Sequence, residues 1–384
     1  MAFRWSSLGP SGPAGASGAA GGALFDADGL VVRRRGTGAY AGMEFLEVRA
    51  RTVLNRVPAG SRVPFEWTIN PYRGCSHACS YCFARPTHDH LGLDIAEGFD
   101  RQIVVKVNAV EVARRELAPG RWGRHPIALG TSTDPYQKAE GRYHLTRGLI
   151  GAMADGASPF SILTKSTLIL RDLEALAAAA ERVPVRTNLS IGSLDRDVWR
   201  LTEPGAPPPW KRMDAVAALN RAGVPCGVFI SPVIPGLSDS DSDLRAVVEA
   251  AVDAGAVSIA AGYLYLRGPV RGVFLDRLRA DDPGAAEAIA RRYGDRAHLP
   301  GPDQQRLTGR VRDLVAATGA PVRVGDPLDA PLLRAGPPGE PSRSQPRPQL
   351  RPQLRPQLRP QPRPQLRPRT PAPAPAPAAQ ISLL

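Results

Sequence analysis

The stretch Asn70–His88 reads NPYRGCSHACSYCFARPTH, and Cys75, Cys79 and Cys82 within it are three of only four cysteines in the chain. Their spacing is C-x3-C-x2-C. Three thiols on one short loop can occupy three corners of a metal centre. Two readings follow from these residue types. A structural zinc wants a fourth ligand, which His77 or His88 would supply. A [4Fe–4S] cluster held by three thiolates leaves one iron open to a further ligand. Arg73, His77 and Arg85 are expected to favour thiolate over thiol.

Outward from this loop, apolar runs alternate with amphipathic stretches. The runs Trp67–Asn70, Ile127–Thr131, Phe160–Thr164, Val185–Ile191, Gly227–Val233 and Val257–Leu264 read as strands. Helical periodicity marks Leu168–Glu181, Asp239–Ala254 and Pro302–Thr318. Alternation of this kind means parallel strands joined by helical crossovers. Six units are two short of a closed eightfold barrel, so a partial barrel and an open doubly wound sheet both fit. The cysteine loop directly follows the first strand, which places it at the C-terminal mouth where α/β active sites form. In Val185–Ile191, the residues Val185, Thr187, Leu189 and Ile191 alternate with Arg186, Asn188 and Ser190. The first set is expected to face helices and the polar set the barrel interior.

The ends of the chain differ from its middle. Residues 1–40 are rich in Gly and Ala and are expected to be a disordered extension. In residues 335–384, arginine recurs in an R-P-Q-L/P repeat, and eight arginines against Glu340 give +7 of the chain's +13 net charge. Proline at this density forbids helix and sheet, so a disordered Pro/Arg/Gln-rich tail is expected there. Residues 41–334 then form the folded body, which is only mildly basic. No apolar run reaches the roughly 20 residues of a membrane span. The N-terminus lacks the apolar core of a signal peptide. Four cysteines in 384 residues make no disulfide scaffold, and their clustering suits a reducing, cytoplasmic setting.

The motif Cys75-x3-Cys79-x2-Cys82, with Tyr81 before the third cysteine, resembles the signature of the radical S-adenosylmethionine (SAM) superfamily. The wider string NPYRGC-x3-C-x-YC resembles its subgroup similar to spore photoproduct lyase, the DNA repair photolyase-like proteins. The resemblance covers residues 45–265. It implies a partial (β/α)6 barrel of the radical SAM type, with a helical part C-terminal to it. It also implies a [4Fe–4S] cluster on the three cysteines, and SAM cleaved to a 5′-deoxyadenosyl radical. The cofactors carry the hard chemistry in such enzymes, while the protein supplies position and excludes water. A flavodoxin- or ferredoxin-like electron donor is implied as partner.

Site residues carry over position by position. Thr131-Ser132-Thr133-Asp134-Pro135-Tyr136-Gln137, closed by Glu140, resembles the segment near the methionyl amino group of SAM. Lys165 resembles the lysine that pairs with the methionyl carboxylate. Ser190 resembles a ribose or methionine contact, and Ile234, in Val233-Ile234-Pro235-Gly236, belongs to the adenine-contacting turn. Tyr81 completes the cofactor set. The spore enzyme carries a cysteine at the end of its second strand, where this chain has Gly130-Thr131-Ser132 and no thiol. Cys226, at the start of the fifth strand, is expected to be a buried apolar residue far from the loop. That difference argues against the spore enzyme's way of returning hydrogen to its product. A nucleic acid or nucleotide is the first substrate expectation, with Tyr136, Tyr143, Tyr263 and Tyr265 near strand ends. A peptide or small metabolite is the second, and a zinc-bearing nucleic-acid-binding module without catalysis the third. Arg267, Arg271 and Arg277 read as a basic, solvated face.

Overall fold

The computed structural model describes residues 2–4, 30–58, 61, 63 and 65–325. The tail expected at 335–384 lies outside the described residues.

Along the chain, strands β1 (Ala2–Arg4), β2 (Leu30–Arg35), β3 (Glu44–Val48), β4 (Leu54–Arg56), β5 (Trp67–Ile69), β6 (Tyr72–Arg73) and β7 (Gln102–Lys106) come first. Strands β8 (Ile127–Leu129), β9 (Phe160–Thr164), β10 (Val185–Ser190), β11 (Cys226–Val233), β12 (Ser258–Tyr263) and β13 (Arg323–Gly325) follow. The larger sheet has the order β13-β12-β11-β10-β9-β8-β5-β4. Its members β5 and β8 to β12 are the six runs expected from sequence, all parallel and in chain order. Short β13 adds in parallel at one edge and β4 antiparallel at the other. The fold is therefore α/β, an open six-unit barrel with a strand added at each edge.

One face of this sheet is almost wholly apolar. Ile69, Leu129, Ile162, Leu189, Ile230 and Ile259 are each at most 1% exposed and join one core with the covering helices. Such continuous burial is what parallel strands covered by crossovers require. Strand β10 shows the expected alternation, with Val185, Thr187 and Leu189 buried and Arg186 and Asn188 only partly so. The α-helices are α1 (Glu97–Arg101), α2 (Ala109–Glu116), α3 (Glu140–Tyr143), α4 (Leu145–Asp155), α5 (Leu173–Ala180), α6 (Arg196–Thr202), α7 (Pro209–Arg221), α8 (Asp241–Asp253), α9 (Pro269–Asp281), α10 (Pro283–Tyr293) and α11 (Gly301–Thr318). Helix α8 starts where Ser240 Oγ accepts from the Asp243 N–H at 3.1 Å, and it buries Leu244, Val247, Val248 and Ala251.

A smaller sheet, β1-β2-β3-β7-β6, precedes and flanks the barrel. The sequence reading missed it, and the expected boundary at residue 40 falls inside its hairpin. Strand β2 pairs antiparallel with β3. There Arg33 and Arg34 reach Glu44 and Glu47 across the strands. An arginine run that reads as disorder in isolation is held by cross-strand charge pairing.

The helices α9 (Pro269–Asp281) and α10 (Pro283–Tyr293) build a second apolar cluster around Ile234, Leu264, Phe274, Leu278 and Tyr293. Tyr81, from the cysteine loop, packs against this cluster. Both helices follow β12 in the chain. No helix among the described residues is long and apolar enough to cross a membrane.

Candidate active site

The cysteine loop leaves β5 and is tied down along its length. The Gly74 carbonyl accepts from Thr133 Oγ1 at 2.7 Å and Gln137 Nε2 at 2.8 Å. Gln137 Oε1 in turn accepts from the Ser76 N–H. Gly74 has φ +78°, and a Cβ there would meet the Phe99 carbonyl and the His88 ring at 2.8 Å, so only glycine fits. Arg85 is fully buried and donates to the Cys79 carbonyl, to the carbonyls of Ile95 and Ala96, and to Asp100. Arg277, from α9, bonds the other oxygen of Asp100 and the Ala78 carbonyl. The sequence placed Arg277 on a solvated face. It instead clamps the loop, because the two halves of an ion pair sit 177 residues apart.

A second clamp comes from the turn Thr202-Glu203-Pro204-Gly205 after α6 (Arg196–Thr202). The Ser80 N–H donates to the Thr202 carbonyl and the Gly205 N–H to the His77 carbonyl, each at 3.0 Å. A Cβ at position 205 would lie 2.2 Å from the Ser76 oxygen. Gly205→Ala is therefore expected to push the loop outward and lower the iron retained after reconstitution, though residue 205 is no ligand. Iron content equal to wild type would show that the loop yields without cost.

Cys75 and Cys79 are each 7% exposed, and Cys82 is partly buried. Burial raises all three thiols, Cys79 to about 12, with Asp134 adding at Cys75 and Glu203 at Cys79. The expectation that Arg73, His77 and Arg85 favour thiolate is corrected here. Removal from water outweighs the neighbouring cations. Arg85 lowers Cys82 and the His77 N–H lowers Cys75, and neither overcomes burial. A bound metal would have to displace these protons. Among the described residues, no set of three His, Cys, Asp or Glu is gathered to hold a single metal ion. His77 Nδ1 lies 3.2 Å from Asp134, and His88 Nε2 bonds the Gln102 carbonyl at 2.9 Å, leaving its Nδ1 buried without a partner. Cys226 sits at the start of β11, fully buried in the main core.

Beside the loop, the strand ends carry a buried polar network. Lys165 Nζ, just past β9, donates to Ser190 Oγ at 2.6 Å and lies 3.0 Å from Glu203. It also stands 5.6 Å from the centre of the Tyr81 ring. Glu203 takes the Tyr81 hydroxyl as well, and Arg212 lies 2.5 Å from its second oxygen, out of line for a hydrogen bond. Burial would raise the Glu203 carboxyl, yet Arg212, Lys165 and Tyr81 hold it at about 2. Tyr81, Glu203 and Ile234 line one shallow pocket together with Ser193, Pro232 and Ser238. So Tyr81, Lys165, Ser190 and Ile234 do converge.

Thr131 and Ser132 are organised separately, by Asn70. Its amide donates to Thr131 Oγ1 and accepts from the Ser132 N–H. Asp134 joins the two regions, accepting from Thr164 Oγ1 and the Lys165 N–H while facing His77. Glu140 ties Tyr72, Arg171 and the start of the next helix instead, and Tyr136 is buried in the main core. Neither is placed to meet a ligand. Glu203 and Arg212 went unnoticed in the sequence. A carboxylate in a Thr-Glu-Pro-Gly turn carries no periodic or spacing signal.

The family model of the radical SAM superfamily matches residues 69–248. An uncharacterized protein of Mycobacterium tuberculosis is 42% identical over 286 residues, spanning 74% of this chain and 84% of that protein. The chain belongs to the radical SAM superfamily. A radical SAM Nα-GlyT isomerase of Pseudomonas phage M6 is 28% identical over 59% of this chain and 49% of its own length. Among solved structures, spore photoproduct lyase complexed with dinucleoside spore photoproduct superposes with a TM-score of 0.55. That match covers 73% of this chain and 81% of the lyase at 14% identity, which makes it a likeness of fold. In parallel α/β folds, active sites form at the C-terminal ends of the strands. Both the cysteine loop and the Lys165 network lie there.

Proposed function

We propose that Cys75, Cys79 and Cys82 hold one [4Fe–4S] cluster and that SAM lies from Asn70 and Thr131 to Ile234 across the strand ends. The observation that carries this is the loop itself. Two buried thiols and a partly buried third sit on one segment that Arg85, Arg277 and the 202–205 turn lock against the barrel mouth. Thiolates that each take a separate iron need no common closely packed point, whereas one zinc ion does. Among the described residues neither His77 nor His88 gathers with two further donors to hold one zinc ion.

When bound, the cluster supplies the electron that splits SAM to a 5′-deoxyadenosyl radical. The chain's own residues orient and shield. Lys165 offers an ammonium for the methionyl carboxylate, and Ser190 fixes that ammonium. Tyr81 and Ile234 present apolar surface to the adenosyl part in the shared pocket. Helices α9 and α10 pack an apolar cluster behind Tyr81 and Ile234.

For substrate, we propose a nucleic acid or nucleotide. The fold likeness to a lyase solved with a dinucleoside lesion supports this class. The sequence Gly130-Thr131-Ser132 carries no thiol, so hydrogen return differs from that enzyme. The test is anaerobic reconstitution with iron and sulfide. Brown protein that forms 5′-deoxyadenosine from SAM under dithionite is expected, and a colourless zinc protein would overturn the reading.

Lys165→Ala is expected to weaken SAM binding about thirtyfold or more while bound iron stays unchanged, since deleting one partner of a desolvated charge pair costs about 2–5 kcal/mol. Calorimetric titration of SAM into reconstituted protein measures it. Unchanged affinity would move the methionyl carboxylate away from Lys165.

A further inference from the structure

We infer that Arg73 and Lys106 form a binding site for a phosphate-class oxyanion on the face of the small sheet turned away from the main core. The register places them together. Antiparallel pairing sets Arg73 opposite Val104, and the Lys106 N–H bonds the Pro71 carbonyl at 3.0 Å. Arg73 and Lys106 are therefore diagonal neighbours on one face, about 7–8 Å apart and within reach of each other's long side chains. The alternate residues Tyr72, Ile103 and Val105 point into the main core. The Arg73 and Lys106 side chains share their face with Val104, Val48 and Leu46, which pack under Leu91 in a cluster of their own.

Lys106 keeps only 2% of its surface, and Arg73 is partly exposed at the rim. Neither side chain has a hydrogen bond or ion pair among the described residues. Burial and the facing Arg73 push the Lys106 amine down to about 7. The acids nearby are committed. Glu116 accepts from the Val53 and Leu54 N–H groups, Glu44 from Arg33 and Gln102, and Asp94 from the Gly98 N–H. His88, whose Nε2 is bonded, feels Arg73 as well.

Glu116 attracts the Lys106 amine without hydrogen-bonding it, while burial and a second cation beside it both oppose its charge. Apolar side chains at 106 would pack with Val48 and Val104 at no such cost. The pair is thus a concentration of positive potential matched to an anion. The arginine fork takes two oxygens and the ammonium a third. A carboxylate has two oxygens to offer, and a phosphate group has enough for both residues. This site involves neither the cysteine ligands nor Lys165, so it stands apart from the cofactor reading.

The test uses the full-length protein, with inorganic phosphate titrated against chloride at matched ionic strength while thermal unfolding is followed. A saturable rise of about 2–3 °C at a tenfold excess over Kd is expected. Lys106→Met is expected to melt higher than wild type without phosphate and to lose the phosphate response. Arg73→Gln is expected to lose the response as well, and it keeps the test open if Lys106→Met does not fold. A second arm offers a single-stranded DNA oligonucleotide as competitor. Competition at the wild-type site, absent in Lys106→Met, would identify the phosphate as a nucleic-acid backbone group. Binding of inorganic phosphate without competition would identify a small phosphoester. No phosphate response in wild type, an undiminished one in either variant, or a lower melting point for Lys106→Met would overturn the site.

Discussion

Replacing Cys75, Cys79 or Cys82 singly by Ala is expected to remove most bound iron and to abolish 5′-deoxyadenosine formation. Cys226→Ala is expected to do neither. The three loop cysteines share one clamped segment, and a cluster with three protein thiolates has none to spare. Cys226 lies in the main core, where its thiol behaves as a small apolar group and its amide is held by Asn220. Its truncation removes one buried sulfur, at a stability cost of about 1 kcal/mol. Iron and sulfide analysis, read beside nucleoside product, separates the two cases. Iron retained in a loop variant, or lost in Cys226→Ala, would place the cluster elsewhere.

Glu203→Gln is the variant expected to cost most stability without touching a proposed ligand of the cluster. Its carboxylate is 5% exposed and faces Lys165 and Arg212, the latter fully buried. Gln keeps the shape and removes the charge, so two cations remain in a dry site. Breaking a buried pair in this way costs about 3–5 kcal/mol. The pH dependence carries a definite sign. The folded carboxyl sits at about 2 against an ordinary 4.5. Its contribution, about 3 kcal/mol on that shift, is present above pH 4.5 and is lost as pH falls toward 2. The gap between wild type and Glu203→Gln should therefore narrow over that window, because acid protonates the same carboxylate in the wild type. Urea unfolding at pH 7 and across that acid range measures the gap. Equal stabilities at pH 7, or a gap that ignores pH, would show that Glu203 is not the counter-ion of this network.

The local sequence determined much of this protein. Each of the six parallel strands is a short apolar run between helical patterns, and the apolar residues on its core face make such runs legible without any partner in view. The cysteine loop was legible for a different reason, since its three thiols lie within eight residues and their spacing is set by the chain alone. Lys165, Ser190 and Ile234 were singled out by the family resemblance, and their nearness to Tyr81 follows from strand ends in a parallel sheet sharing one side. What the sequence could not show depends on groups brought together from distant positions. Arg33–Arg35 read as part of a disordered start because Glu44 and Glu47 become their partners only after β2 pairs with β3. Arg277 read as solvated because Asp100 and the Ala78 carbonyl reach it only through tertiary packing. The thiol acidities went the opposite way from expectation for the same cause. Sequence counts the cations near a cysteine, while the fold decides how much water is left to solvate a thiolate, and at this loop burial prevails.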